Sequence, residues 1–400
     1  MFNEEECLRL GELIEKIVKS EGLIKNQISD GDIIISFMTN ASEQLNWAKY
    51  YQKFYYKFSE YSTERTDCLL LTGFYPEIYY EILNFVNDKC YTKEASYRGD
   101  SFTEYSTNNM IVQVYDNRPG LTLLDKENKT IVFLTTLEDK HFIQEPARLI
   151  REIFNRENEN IGAYQFHGGA VTIQNNGILI CGEKGAGKTT TVTGLIEDGR
   201  TDFVANDRVL LSIKENKTMI KGIPFAVAIR LGTCYNSPYL RKWLEPTAEP
   251  ILGFRHSNLK ISDIESFSDV ERWNIKQFIE LTPEELILSY NTQVKSTAQL
   301  KMIIFPEVNK DYKNPYIDKP SKEWAKSVLF RECFTIDDDS YNDRFGLLKE
   351  ITKEGLENTF DTLLNNVSIY SIKYSNIHST LGDIYQLILD EIKQPNLDIL

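Results

Sequence analysis

The octapeptide Gly182-Glu183-Lys184-Gly185-Ala186-Gly187-Lys188-Thr189 restricts what this chain can fold into more than any other stretch. It fits the pattern GxxxxGK[ST] in full, and its flanks fit too. GILIC before it reads as an apolar strand, and TTTVTGLIEDG after it reads as a helix closed by Gly199. A strand that turns through glycines into a helix commits the chain to a layered α/β domain with the loop at a strand end. Glycine lets successive backbone N–H groups point inward, and the helix N-terminus adds its positive end, so the loop is a cradle for phosphates. Lys188 would reach the β- and γ-phosphates and the Thr189 hydroxyl would ligate Mg2+. The expected ligand is ATP or another nucleoside triphosphate with Mg2+, held along Gly182 to Thr190.

The neighbouring segments supply candidates for the rest of such a site. FVANDRVLLSI reads as a strand that could lie beside the loop strand, and Asp207 in it falls nineteen residues after Lys188, so its carboxylate could face the metal. Its alternative reading is a turn residue at a strand entry. Glu307, after MIIFP, competes for the metal role, although Pro306 before it makes it less typical. His167 lies in QFHGGAVTI, the strand before the loop strand, with two glycines that allow close backbone approach; a lone histidine on a strand is more often structural. Arg230, in AVAIRLG, either adds positive charge to the same site or ends a strand at the surface.

Away from the loop the chain divides in two. Residues 1–140 begin with EEECLRLGELIEKIVK, whose Leu10, Leu13, Ile14 and Ile17 recur at helical spacing. The strand-like runs DIIISFM, TDCLLLTGF, MIVQVYD and TIVFLTT follow, with the aromatic stretch YYQKFYYKF among them and one helix, PEIYYEILNFV. This is a β-rich α+β domain without a chemical motif. Residues 141–400 open with a linking helix, IQEPARLIREIFNR, and hold the loop domain and a C-terminal α/β extension. There TMIKGIPFAVAIRLG reads as two strands joined near Gly222, 254–270 as a polar loop or lid, and KMIIFPEV as a buried strand. Helices are expected near 321–334 and 343–363, then a strand, VSIYSIKYS, and a last helix to about 393.

The formal net charge of −14 argues against nucleic acid, because an acidic surface repels a phosphate backbone and groups such as Arg241-Lys242 are too short to line a groove. Six scattered cysteines without a CxxC pair fit free thiols rather than a disulfide frame or zinc site. The acidic N-terminus resembles no signal peptide, and no apolar run reaches ~18 residues, so a soluble cytoplasmic protein with no membrane partner is expected.

Taken together, FHGGAV, GILICGEKGAGKTT and FVANDRVLL resemble the C-terminal domain of HPr kinase/phosphorylase and its relatives, which share their loop architecture with the phosphoenolpyruvate carboxykinases. The likeness runs from about 163 to 232. It implies an α/β P-loop domain of the HPr kinase/phosphoenolpyruvate carboxykinase type, here preceded by the β-rich α+β domain. It also implies an ATP-dependent kinase that phosphorylates a serine-type hydroxyl on a small molecule, peptide or small protein. Relatives assemble into oligomers, so a homo-oligomer is expected by analogy.

Residue by residue, Lys188 and Thr189 fall on the phosphate and metal positions, Asp207 on the second acid of an Asp-Asp pair, and His167 on the active-site histidine. Lys221-Gly222-Ile223 looks like an Arg-Gly-Leu step. Two positions depart from the pattern. Asn206 stands where the first Asp would activate the acceptor hydroxyl, and an amide has no carboxylate to take a proton. Met219 stands where a metal-assisting Glu would be. Phosphoryl transfer depends mainly on positioning and electrostatics, so a kinase without that base remains an expectation beside a nucleotide hydrolase or a regulatory nucleotide-binding protein. A third reading has the N-terminal domain delivering a protein partner under nucleotide control.

Overall fold

A computed structural model describes residues 4–87, 93–97, 100–107, 109–197, 199–245, 247–252, 254–255, 259, 261–336, 343–349, 353–375, 384–386 and 388–390. The chain is mixed α/β with large sheets, and it splits into two compact units. The first takes Met1–Ile161 and Asp337–Lys349; the second takes Gly162–Ile336 and Glu350–Leu400. The division falls after the helix Lys140–Asn160, not before it, and the chain comes back to the first unit once.

The first unit is built on a nine-stranded sheet. Its central strands Ile33–Thr39, Cys68–Phe74 and Thr130–Thr135 run parallel, and an antiparallel meander continues from the last of these. The amphipathic helix Glu4–Val18 buries Leu10, Leu13, Ile14 and Ile17, as its spacing requires, in one core with Ile78, Ile82 and Val86 of the helix Pro76–Asn87. Tyr50 and Tyr51 of the aromatic stretch close a helix, Ser42–Gln52, because the buried positions Gln44, Leu45, Ala48 and Tyr51 recur at helical spacing. This helix packs on Lys140–Asn160, and Gln44 and Gln52 donate to the carbonyls of Phe142 and Ala147 at 2.9 and 2.7 Å. Arg344, in the returning segment, is buried in this unit. Its Nε donates to Gln113 Oε1 at 2.6 Å, its Nη2 to Thr122 Oγ1 at 2.9 Å, and its Nη1 lies 3.4 Å from Glu145 Oε1.

The second unit holds the glycine-rich loop 182–187. The strand Tyr164–Ile173 (the His167 strand) pairs antiparallel with Asn176–Cys181 (the loop strand), which is parallel to the long strand Thr297–Val308. Arg208–Lys214 and Lys217–Gly222 complete a closed ring of pairings between the His167 strand and the long strand. Ser368–Tyr374 extends the sheet on the long strand's other part. Helices Lys322–Arg331 and Lys353–Asn366 cover one face through Val328, Leu329, Leu356 and Phe360. A small separate sheet carries Val227–Arg230.

FVANDRVLLSI is two strands, Thr201–Ala205 and Arg208–Lys214, and both pair with the His167 strand, one after the other along its length. Between them Asn206 and Asp207 form a turn in which Asp207 has a φ of +74°. The stretch 254–270 holds a two-residue strand, Phe254–Arg255, and the helix Ile261–Ser266, and Asp269–Trp273 is a further helix with a capping box from Ser268 and Glu271. The helix expected from 343 starts at Lys353, because 343–349 belongs to the first unit. Part of the expected last helix, and Cys90, lie outside the described residues; the other five cysteines are free thiols. Among the described residues no helix is long and apolar enough to cross a membrane.

Candidate functional site

The loop Gly182–Gly187 joins the loop strand to the helix Lys188–Glu197, and its backbone needs glycine at Gly185 (φ +92°) and Gly187 (φ +103°). Val308 braces it: its N–H donates to the Ala186 carbonyl at 3.0 Å. Thr191 anchors the helix, with its hydroxyl 2.9 Å from the buried Tyr374 hydroxyl. Lys188 Nζ donates to the carbonyls of Gly182 and Glu183, the latter at 3.2 Å. Burial lowers the Lys188 pKa, and the charges of Glu332, Cys181, Asp207 and Glu183 oppose that. The carboxylate of Glu183 is tied to Arg331 at 3.0 Å on the exposed side.

A cavity of about 280 Å³ opens on this loop. Of the residues expected at the site, His167, Lys184, Gly185, Gly187, Lys188, Thr189, Thr190 and Arg230 line it. Gly182, Glu183 and Ala186 do not line it, and neither does Asp207, which lies beside His167 with Oδ1 3.7 Å from Nε2. Asn206 is not brought there. It is 4% exposed, and its Oδ1 is buried with no hydrogen-bond partner among the described residues. Glu307 is half exposed and bound elsewhere, 3.0 Å from Lys373 and accepting from the Tyr312 hydroxyl, with its pKa lowered first by Tyr312 and then by Lys373.

The two glycines after His167 have a packing reason. A Cβ on Gly169 would lie 2.5 Å from Val192 Cγ2, so the loop helix lies directly on the His167 strand. Gly168 N–H donates to the Asp207 carbonyl at 3.2 Å, which holds the Asn206-Asp207 turn beside His167. On the same strand, Gln165 and His167 are joined by backbone hydrogen bonds to Phe334 and Glu332, just beyond the helix Lys322–Arg331.

That pairing brings in residues the sequence gave no sign of. Glu332 Oε2 lies 2.8 Å from His167 Nδ1, the imidazole stacks on Phe334 at 5.3 Å and 26°, and Arg208 sits 3.8 Å over the Phe334 ring. Thr233 and Asn236 from the helix Leu231–Asn236, and Asp269, Arg272 and Trp273 from the next wall, complete the cavity. Arg272 is committed to Asp269 at 2.7 Å and to the Tyr235 ring, whereas Arg230 makes no ion pair among the described residues. Burial pushes the Cys181 thiol up to about 12, so it stays a protonated core group whose Sγ donates to the His167 carbonyl.

Thr189 and Asp207 offer a hydroxyl and a carboxylate, hard oxygens of the kind Mg2+ takes alongside water and substrate phosphates. Among the described residues no group of three or more His, Cys, Asp or Glu could hold a metal by itself.

No protein-family profile matches the chain, and no curated protein does. Among solved structures the chain is similar to the Hpr(Ser) kinase/phosphatase from Coxiella burnetii, at 15% identity, over 57% of this chain and 95% of that one, with a TM-score of 0.25. A superposition of that quality carries no inference about chemistry.

Proposed function

We propose that this chain is an HPr-kinase-like phosphotransferase that moves the γ-phosphoryl group of ATP, or of another nucleoside triphosphate, to a serine-type hydroxyl on a small molecule, peptide or small protein. The observation that carries the reading is the shared cavity: a complete phosphate loop and a histidine flanked by two carboxylates open on the same space. The loop N–H groups and Lys188 would neutralise the β- and γ-phosphates; Lys188 would exchange its carbonyl partners for phosphate oxygens, a stronger charge-assisted bond. Thr189 and Asp207 would hold Mg2+, which, when bound, offsets the phosphate charge. His167 would contact the acceptor or the phosphoryl group in transit, and Arg230, which lines the same cavity, would add positive charge. Little covalent chemistry is asked of the protein, since transfer of this kind rests on alignment and charge.

A second reading, nucleotide hydrolysis or regulation without an acceptor, is favoured by Asn206: the position that would carry a base is a buried amide. Two measurements separate the readings. Lys188→Ala should weaken triphosphate binding by about 10–100-fold in calorimetry, the range for lost hydrogen bonds to a charged group, with the fold intact; unchanged affinity would sink both. ATP consumption that rises with a hydroxyl compound, with phosphate found on it, supports the kinase; consumption indifferent to every acceptor supports the second reading.

A further inference from the structure

We propose that Glu332 is the positioning residue of this site, fixing the tautomer and the orientation of His167 so that a bare Nε2 faces the cavity. The inference rests on the phosphotransferase reading for its functional meaning, and on geometry alone for the positioning.

The contact is short and sheltered. Glu332 Oε2 lies 2.8 Å from His167 Nδ1, with the Glu332 side chain 9% exposed. A carboxylate can only accept, so the proton of a neutral imidazole sits on Nδ1 and the lone pair on Nε2. The other carboxylate, Asp207 Oδ1, stands 3.7 Å from Nε2, too far to take a hydrogen bond from it. The ring has little freedom to turn over. Phe334 stacks on it, Arg208 lies over Phe334, and the His167 backbone N–H donates to the carbonyl of Glu332 itself at 2.8 Å. The same short stretch, 332–334, therefore grips both the backbone and the imidazole of His167.

The consequence is a preference in the acceptor. A bare Nε2 in the cavity accepts a hydrogen bond and cannot donate one, so it would orient a group carrying an O–H, turning the oxygen's lone pair toward the phosphate loop. With the opposite tautomer the same ring would donate to that oxygen and tie up the lone pair it needs for attack. No proton transfer is required for this role.

The chain has four histidines, so the full-length protein labelled with ¹⁵N in the imidazole rings gives a spectrum simple enough to read, with His167→Gln identifying its signal. We expect His167 in the Nδ1–H form. In Glu332→Leu it should shift toward the Nε2–H form, while Glu332→Asp, which keeps a carboxylate, should retain Nδ1–H. Acceptor-dependent kcat should fall about 10–100-fold in Glu332→Leu, the usual cost of losing a histidine's outer partner, with the KM for nucleotide unchanged and partial rescue in Glu332→Asp. Wild-type His167 in the Nε2–H form, or a tautomer indifferent to Glu332→Leu, overturns the proposal. If the tautomer responds as expected but no hydroxyl compound is ever phosphorylated, the positioning stands and the kinase reading falls.

Discussion

Gly187 lies so close to Val308 that a Cβ on it would sit 2.2 Å from Val308 Cγ2. The last residue of the long strand thus closes over the last glycine of the glycine-rich loop, and it also binds the loop backbone through Ala186.

Gly187→Ala should therefore cost about 3 kcal/mol or more of stability, from the clash with Val308 together with the strained φ of +103°. Gly185→Ala is the control: its φ is +92°, but nothing lies within 4 Å, so about 1 kcal/mol is expected from backbone strain alone. Urea unfolding of the two variants checks this; equal losses would mean that Val308 does not brace the loop.

Asp207→Asn should raise the Mg2+ concentration needed for nucleotide binding about tenfold, one charge-assisted contact's worth, while leaving metal-free binding nearly unchanged. Glu307→Gln should leave both alone, because its carboxylate is engaged with Lys373 and Tyr312. Calorimetry with and without Mg2+ decides. The opposite pattern would move the metal role to the long strand.

Asn206→Asp places a second acid next to Asp207, and it should not raise kcat. The side chain at 206 is 4% exposed and does not line the cavity. A new carboxylate there would be buried beside Asp207 and cost about 1–3 kcal/mol. A faster enzyme of unchanged stability would show that position 206 does face the reacting groups.

The first unit should lose stability in acid through Glu145. Burial alone would raise this carboxyl's pKa, but Arg148, His141 and Arg344, with a hydrogen bond from Tyr115, outweigh it and hold the pKa at about 2. The folded value is below the ordinary 4.5, so the stabilisation is complete above about 4.5 and fades as the pH falls toward 2. The wild type should lose about 3 kcal/mol more across that window than Glu145→Gln does, at 1.36 kcal/mol per pH unit. Parallel pH-stability curves for the two would remove Glu145 as the cause.

The glycine-rich loop, its strand and its helix were legible because glycines and a Lys-Thr pair in fixed order are a local signal, and local structure obeys it. The turn at Asn206-Asp207 was legible only as the alternative reading of Asp207: Asn and Asp suit a turn and a left-handed backbone, but the apolar residues on both sides read as one run. The aromatic stretch near Tyr50 misled for the opposite reason: tyrosine favours strands, yet the buried positions before it repeat at helical spacing. Glu332 was out of reach altogether. It meets His167 only because the segment after the helix Lys322–Arg331 pairs with the His167 strand, and such long-range pairing leaves no pattern near either residue.

The return of the chain to the first unit bears on how this protein can be divided. A gene cut after Ile161 would encode every strand of that unit but not Arg344, and Gln113, Thr122 and Glu145 would each lose a buried partner. The two units therefore do not behave as beads on a string, which a single recombination event could join or part. A fragment meant to fold as the first unit needs residues 343–349 grafted back onto it.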